Sequence, residues 1–570
     1  MEEKKKKRLF NYRPMCVVAV SLMAGIIVGE FFYGVNPLLR LIPFFLFASL
    51  FAAFLCVKRI RRFSYIFVMI LVGFLGLCGS SDIYAKNTKI DEYEGYIYGR
   101  VSSQITVESG RTYFYIEDVY AGDQKLEYDA YVSVSHEEIP EYNAGDIVKI
   151  IGTLKANRHK KFDSFHAYDV AKRDGFTVYS SVDVEKIAEG EMQLLERLPY
   201  KIKGNFYERM DDSSAAICTA LVLGDKSGID DDMYDNISVS GLSHVLAVSG
   251  LHIAVISAVL FFVFRKMKIK PKIGLFLVFG LMLFYCFLCD FTASSLRALI
   301  MMTILNFSVA FGRKRDTLST IAFSAIIILI FRPTALMEAG FLMSYGAVLG
   351  IALFYGKFLS IGMKLVNKIS PKKHHGKHVA EAVALSLSAN LVAFPFIAYF
   401  FRRVTILFVL SNILVLPYLM FIYLLLLIIS VFSLVVGWSG ALVIFKYLLI
   451  PFKGYVTIFG SLKFVSIPVA MTPIGIFGLI ILFVFLSKYI FAKRMTKVVG
   501  GVTVASITIV LALVSMYADR LSEQKSSGTK QGETIEAAHV AAACEQIQPE
   551  TCKEAEYVSQ SFCVDFAPKF

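Results

Sequence analysis

The sequence predicts a polytopic α-helical membrane protein of about 10–12 spans that carries an all-β, OB-like domain on the extracytoplasmic side. Two observations predict the helical part. Of the 570 residues, 56% are hydrophobic, against roughly 45–50% in soluble domains, and long apolar runs alternate with short basic loops. A third observation predicts the β domain: between residues 86 and 200 charged residues return, and short β-branched and aromatic runs alternate with turn residues.

Three apolar runs, near residues 15–35, 38–57 and 63–81, predict the spans of an N-terminal segment that covers residues 1–85. The basic clusters MEEKKKKR and KRIRR bracket the first two runs. Because Lys and Arg accumulate in cytoplasmic loops, both clusters are expected inside, and the third span then leads outward. The first run is expected to remain as a span, since no small-residue cleavage site follows it.

The next segment, residues 86–200, predicts a small barrel. Five short runs have the period of β-strands and cover residues 94–101, 111–119, 126–134, 146–154 and 176–184. An OB-like barrel fits this pattern, and OB folds often bind single-stranded nucleic acid by stacking bases on aromatic side chains.

Tyrosines recur in the first two of these runs, at Tyr96, Tyr98, Tyr113 and Tyr115. One interpretation is a platform on which bases stack. The alternative is that alternate tyrosines fill the barrel and its membrane-facing side. The domain holds many acidic residues beside its basic ones, so its charge alone does not indicate DNA.

Residues 201–237 predict an amphipathic, interfacial connector, and residues 238–518 predict a polytopic domain. The spans expected in this domain are 244–264, 273–289, 293–311, 317–331, 336–356, 379–400, 472–491 and 498–517. The basic loops RKMKIKPK, GRKRD and KKHHGKH then all fall on the cytoplasmic side, whereas Arg402 and Arg403 fall outside.

Two apolar stretches are harder to divide. Residues 404–436 are long for one upright helix, and Pro417 is expected to kink or break them. Residues 441–466 contain interrupting Pro, Lys and Gly and are expected to lie at the interface. Residues 519–570 form an extracytoplasmic tail of unknown role.

The stretch SVSGLSHVLAVSGLHIAVI, residues 238–256, begins with polar residues and continues directly into an apolar segment. At or inside the mouth of the span it places Ser243, His244, Ser249, Gly250 and His252. Polar groups at that depth usually face a water-filled cavity or another helix. The alternative is a helix-capping and packing segment, in which Ser and Gly allow close helix contact.

Arg297 is a charged residue within an apolar run. Asp290 lies seven positions before it, which would place both on one face of a helix. A buried guanidinium needs a carboxylate, a carbonyl or a phosphate. Glu338, at the start of another span, could neutralise Arg297. The alternative is that Arg297 lines a pore and meets the phosphates of DNA.

Two amides, Asn390 and Asn412, each lie five residues before a proline, Pro395 and Pro417. Each amide could satisfy the carbonyl that the proline leaves unpaired. Both are also candidates for a polar path through the domain.

We expect no cofactor and no metal site. The nine cysteines fit no zinc signature. The acidic run DKSGIDDDMYD lacks the spacing of an EF-hand. His374, His375 and His378 have no neighbouring carboxylate or cysteine and predict a solvated basic loop.

The string ALVLGDKSGIDDDMYDNISVSGLSHVLAVSGLHIAVI, residues 220–256, closely resembles the signature of the ComEC family, the inner-membrane channel of bacterial DNA uptake. TASSLRALIM, RPTALMEAGFLMSYGAVLGI and SNILVLPYL resemble later blocks of that family in the same order. The resemblance implies an extracytoplasmic OB-like domain ahead of a channel domain. Many members also end in a metallo-β-lactamase-like domain. Residues 519–570 hold a single histidine, His539, and no HxHxDH string, so we expect no nuclease in this chain.

The function expected from the resemblance is import of single-stranded DNA through the inner (cytoplasmic) membrane during natural transformation. DNA and membrane lipids would be partners, with a DNA receptor outside and a cytoplasmic ATPase or helicase implied by the resemblance, and homo-oligomerisation stays open. Two alternatives remain. One is an intramembrane enzyme with His244 or His252 as base, about 12 Å apart along a helix, and Asp225 or Glu338 as orienter. The other is a transporter of another anionic substrate.

Overall fold

The computed structural model describes residues 13–32, 37–56, 64–87, 92–102, 106–108, 111–135, 142, 145–157, 174–181, 184–190, 197–246, 248–310, 316–369, 375–462, 465–469, 471 and 473–486. The chain divides into two compact units. One is Met1–Ala470 with Ser487–Ala492, and the other is Met471–Leu486 with Lys493–Phe570. The span expected at 498–517, the tail 519–570 and His374 lie outside the described residues.

The first unit is mostly helical. Its helices are α1 (Pro14–Phe31), α2 (Pro37–Cys56), α3 (Tyr65–Asn87), α4 (Arg197–Tyr207), α5 (Asp212–Leu223), α6 (Asp231–Val239), α7 (Gly250–Lys266), α8 (Pro271–Leu288), α9 (Ala293–Ala310), α10 (Thr317–Phe331), α11 (Ala339–Ile369), α12 (His375–Phe401), α13 (Phe408–Val436), α14 (Ile444–Leu448) and α15 (Ile450–Gly460). Short 3₁₀ turns lie at Ser243–Val245, Pro333–Met337 and Gly440–Val443. In the second unit the described helix is α16 (Pro473–Leu486).

The helical part is that of a polytopic membrane protein. Among the described residues, 6 helical stretches are long and apolar enough to cross a membrane: α1, α8, α11, α12, α13 and the stretch Gly440–Gly460. Shorter apolar helices include parts of α2 and α3, together with α5 and α10. Most expected spans coincide with a helix to within a few residues, and the total of about 10–12 stays a prediction.

Of the expected kink or break at Pro417, the break is wrong. Helix α13 runs without interruption for 29 residues with Pro417 inside it, a length of about 43 Å. Leu419, Ile422 and Tyr423 just beyond the proline are fully buried. Packing on that side holds the helix together although Pro417 cannot donate a backbone hydrogen bond.

The β domain contains all five expected strands. Its strands are β1 (Glu92–Val101), β2 (Thr106–Glu108), β3 (Arg111–Ala121), β4 (Gln124–Lys125), β5 (Asp129–Ser135), β6 (Ile147–Ala156), β7 (Asp174–Ser180) and β8 (Glu185–Ala188). The main strands pair in the order β1-β3-β5-β7-β6, and β6 pairs back with β1. The pair β5–β7 is parallel, and the other pairs in this circuit are antiparallel. This closed five-stranded circuit fits an OB-like barrel.

Alternation along the strands divides the barrel into an inner and an outer face. Ile97, Phe114 and Val132 point inward and are at most 1% exposed. Successive side chains of a strand point to opposite faces, so Tyr96, Tyr113 and Tyr131, each one position before an inward residue, lie on the outer face. The interior is therefore filled mainly by aliphatic residues and phenylalanine, together with the buried Tyr128 and Tyr142.

Helix α4 joins the barrel to the helical part through polar side chains. The Tyr200 hydroxyl donates to the Ser102 carbonyl of the barrel at 3.0 Å. Asn205 donates to Ser433 at 3.1 Å, and Arg209 donates to Ser439 at 2.9 Å. The apolar side of α4, with Ile202 and Phe206, is buried.

Small antiparallel strands β9 (Arg403–Thr405) and β10 (Ser466–Pro468) pair beside the start of α13. The Thr405 hydroxyl donates to the Ser238 carbonyl at 3.4 Å. Arg403 forms an ion pair with Asp235 at 3.2 Å. This end of α13 thus packs against the stretch that the sequence analysis singled out.

Candidate functional site

The polar stretch before α7 is not one helix. Gly241 has a φ of +78°, a left-handed conformation that glycine adopts at little cost. Ser243–Val245 then form a 3₁₀ turn, and Ser249 is extended before α7 begins at Gly250. The expectation of a span that starts at His244 is wrong, because the 3₁₀ turn ends at Val245 and the extended Ser249 separates the two histidines. His244 is exposed, whereas His252 is fully buried.

His252 closes the start of α7. Its Nδ1 accepts a hydrogen bond from the Ser249 backbone N–H at 3.1 Å and lies 2.9 Å from the Ser249 hydroxyl. The ring packs edge-on against Tyr423, with centroids 4.4 Å apart and planes at 84°. Within the described residues Nε2 has no hydrogen-bond partner. The helix-capping interpretation is therefore confirmed for Ser249 and His252.

Tyr423, which packs against His252, is hydrogen-bonded to a second buried tyrosine, Tyr285. The Tyr423 hydroxyl donates to the Tyr285 hydroxyl at 3.0 Å, and Tyr285 donates to the Val222 carbonyl at 2.8 Å. Val222 immediately precedes the Leu-Gly-Asp of the signature. A buried tyrosine hydroxyl needs a partner, and that requirement was the available sequence signal for Tyr285 and Tyr423, which the sequence analysis missed.

The stretch also meets α13 directly. The Ser411 hydroxyl donates to the Ser240 carbonyl at 2.6 Å and lies 2.8 Å from the Tyr455 hydroxyl. The neighbouring Asn412 has a buried Oδ1 without a partner among the described residues. The start of α13 therefore contacts the polar stretch through Ser411.

Gly250 brings α7 against the start of α9. A Cβ on Gly250 would lie 3.7 Å from Cβ of Ala298. The preceding residue, Arg297, is 2% exposed, and its Nη2 donates to the Gly340 carbonyl in the first turn of α11 at 2.8 Å. The Nε of Arg297 has no partner within the described part of the chain. Helix α9 thus contacts the first turn of α7 through Ala298 and the first turn of α11 through the buried guanidinium of Arg297.

Glu338 pairs with Arg332 and not with Arg297. Its carboxylate accepts from Arg332 Nη2 at 2.5 Å. The 3₁₀ turn Pro333–Met337 lies between Arg332 and Glu338 and brings their side chains together. Arg297 has the Gly340 carbonyl as its partner. The expected Arg297–Glu338 pair is corrected accordingly. Arg332 was missed, although it stands in RPTALMEAG, one of the strings that the sequence analysis quoted.

Asp290 does not share a helix face with Arg297. It lies in the turn between α8 and α9 with a φ of +52° and is exposed. Helix α9 begins only at Ala293, so helical spacing does not apply across the two residues.

The carboxylates proposed as orienters for a catalytic histidine have other partners. Asp225 binds Lys203 at 2.8 Å and the Ser227 N–H at 2.9 Å. Burial acts to raise the pKa of the Asp225 carboxyl, but the charge and hydrogen bond of Lys203 outweigh it and hold the pKa below its ordinary value. Across the described ranges, no three His, Cys, Asp or Glu side chains group so that they could hold a metal ion.

Residues 221–496 match the family described as "Competence protein". They are a competence-family domain. ComE operon protein 3 of Bacillus subtilis (strain 168) is 28% identical over 206 residues, which cover 36% of this chain and 25% of that relative. No solved structure matches the chain significantly. The resemblance to the ComEC family is confirmed, and the chain spans about a quarter of the relative's length in the match.

Within the competence domain, Asn390 does not play the predicted role. Its Nδ2 donates to the Ser386 carbonyl at 3.1 Å. Pro395 frees the carbonyl four positions before it, at residue 391, which is a different acceptor. The amide instead reinforces the preceding turn of α12.

The candidate tyrosines precede the competence domain and lie on the outer face of the barrel. Tyr113 stacks on Tyr131 with centroids 6.0 Å apart and planes at 11°, and Tyr115 lies 5.0 Å from Tyr131. Tyr96 is 50% exposed, and the Lys149 ammonium lies 4.7 Å from its ring centre. Tyr98 is half-buried on the same strand. The alternative that these tyrosines fill the barrel interior is wrong, whereas the alternative that they cover its membrane-facing side stays a prediction.

Proposed function

We propose that this chain is a multi-pass channel of the cytoplasmic membrane that imports single-stranded DNA during natural transformation. The competence-family match supports a role in DNA uptake. The observation that carries the finer proposal is the buried Arg297, which joins α9 to α11 and adjoins Ala298, the residue that packs against Gly250 of the signature. Ser243, His244, Ser249, Gly250 and His252 would then shape the mouth of the path.

The chemistry of the substrate explains why a buried cation is useful there. Each nucleotide of a strand carries one negative charge, so a path through lipid must be wet or lined by polar and cationic groups. Arg297 keeps its charge in almost any surroundings and offers a planar fork that fits a phosphate. Asn390 and Asn412 are further candidates for this path.

The barrel would receive the strand outside the membrane. Tyr113, Tyr115 and Tyr131 lie together on β3 and β5, the second and third strands of the five-stranded circuit. OB folds bind oligonucleotides on that face, and stacking on aromatic rings tolerates any base sequence. Tyr96 and Tyr98 on β1, with Lys149 beside Tyr96, offer a second group.

Replacing both Tyr113 and Tyr131 by Ala is expected to weaken binding of a single-stranded oligonucleotide to the purified full-length protein by about tenfold or more, since base stacking contributes about 1–3 kcal/mol per base. Fluorescence anisotropy measures the affinity. Tyr120→Ala is the matched control: Tyr120 is exposed on the same strand, about 23 Å from Tyr113. Equal losses in both variants would contradict the platform.

The proposal includes an orientation and a division of the chain. Residues 1–85 and 238–518 would hold the spans, residues 86–200 and 519–570 would lie outside the cytoplasm, and residues 201–237 would connect them. Helix α4 supports this connecting role through its bonds to both the barrel and α13. An external DNA receptor and a cytoplasmic ATPase or helicase are the partners that such a channel needs.

One observation favours the rival, an intramembrane enzyme. The Ser249 hydroxyl lies 2.9 Å from His252 Nδ1, the spacing of a serine nucleophile and its base. In Ser-His-Asp triads the other ring nitrogen is held by an orienting carboxylate, and His252 Nε2 has no hydrogen-bond partner among the described residues. A hydrolase would lose all activity in Ser249→Ala, whereas a pore would show graded losses at several lining positions.

A further inference from the structure

The arginine cluster beside the mouth contains more positive charge than its carboxylate neutralises. Arg297 donates to the Gly340 carbonyl, two residues beyond Glu338, and Glu338 is bound to Arg332. The cluster thus has two guanidinium groups for this one carboxylate. Each arginine also has one buried Nε–H without a partner in the described residues. Buried donors of this kind cost free energy unless an acceptor reaches them.

The start of α11 adds to the positive field. Glu338 precedes this 31-residue helix, and its carbonyl accepts the Leu342 N–H at 3.1 Å. The first N–H groups of a helix carry partial positive charge and favour an anion. The carboxylate of Glu338 lies in this field. Glu338 is 6% exposed and is bound to Arg332.

We propose that Arg297 and Arg332 form a binding site for one phosphate group, and that Glu338 occupies the site as an internal anion until a phosphate displaces it. A phosphate has more acceptor oxygens than a carboxylate, so it can satisfy donors that Glu338 leaves unpaired. Arg332 is the accessible half of the site, with 28% of its side chain exposed, and Arg297 is the buried half. The inference rests on the proposed DNA channel for its biological substrate, a phosphodiester strand, but the site's chemistry stands independently.

The test measures protection of Arg332 from phenylglyoxal, an arginine reagent, by inorganic phosphate. The full-length protein is placed in nanodiscs of zwitterionic lipid, and mass spectrometry quantifies the modified arginine. In the wild type, phosphate is expected to protect Arg332. In Glu338→Gln, the phosphate concentration for half-protection is expected to fall about tenfold, because the competing anion is gone. Adding Arg297→Gln to that variant is expected to reverse the gain.

Asp235→Asn is the matched control, since it releases Arg403 from an ion pair in which 41% of the Arg403 side chain is exposed. Protection of Arg403 should not respond to phosphate. A second set of nanodiscs with phosphatidylglycerol distinguishes a lipid headgroup: protection of Arg332 without added phosphate would assign the site to lipid and overturn the competition by a strand.

Absence of phosphate protection in the wild type would overturn the site, and that arm needs no substitution, so a variant that fails to fold cannot obscure it. An unchanged half-protecting concentration in a folded Glu338→Gln variant would overturn the role of Glu338. Failure of the channel proposal would look different: phosphate would still protect Arg332, yet cells without the gene would import DNA normally.

Discussion

Cells that carry Arg297→Ala are expected to bind labelled DNA at their surface and to import about a hundredfold less of it than the wild type, in line with the effect of truncating one member of a desolvated charged contact. Arg297 is 2% exposed and joins α9 to the first turn of α11 through the Gly340 carbonyl. Removing it takes away both this link and the buried cation at the mouth. Protease-resistant intracellular label measures import, and membrane immunoblots verify that the protein accumulates.

Arg403→Ala is the matched control for this variant. Arg403 is also ion-paired, with Asp235 at 3.2 Å, but 41% of its side chain is exposed, and exposed pairs contribute little. It should import DNA at nearly the wild-type level. Arg297→Lys keeps a charge without the planar fork and should fall between the two. Normal import by Arg297→Ala would remove this residue from the path.

Replacing His252 by Ala is expected to lower the free energy of unfolding by about 3 kcal/mol, as large-to-small substitutions in a core do. The variant loses the acceptor for the Ser249 N–H and the edge contact with Tyr423. A cavity would open beside the buried Tyr423 and Tyr285 hydroxyls. Thermal or denaturant unfolding of the purified full-length protein measures the change.

Leu251→Ala provides the comparison, because Leu251 is the adjacent residue of α7 and is 41% exposed. Its effect on stability should be small. If His252→Ala proved as stable as the wild type but had lost a hydrolytic activity, the intramembrane-enzyme alternative would replace the capping role.

Local patterns in the sequence were sufficient to predict most of the strands and helices. The period of two predicted all five main strands of the barrel, and the apolar runs predicted helices such as α8, α9 and α10 within a few residues. These features depend on neighbouring residues along the chain, which is why the sequence reveals them. Pro417 is the exception, since packing of α13 against the core overrides the local preference.

The partners within the site depend on tertiary structure and were predicted less well. Glu338 pairs with Arg332 because a 3₁₀ turn folds between them, a geometry that the spacing alone does not reveal. His244 lies in a 3₁₀ turn and His252 in α7, because the extended Ser249 interrupts the helix between them. Tyr285 and Tyr423 come from helices far apart in sequence, and only the fold brings their hydroxyls together.

The most direct test of the central claim is uptake of labelled DNA by cells that lack this gene, complemented with the wild-type gene or with an empty vector. The account predicts that cells with the empty vector bind DNA outside but accumulate no protease-resistant label, and that the wild-type gene restores import. Equal import in both strains would contradict the assignment of this chain as the DNA channel.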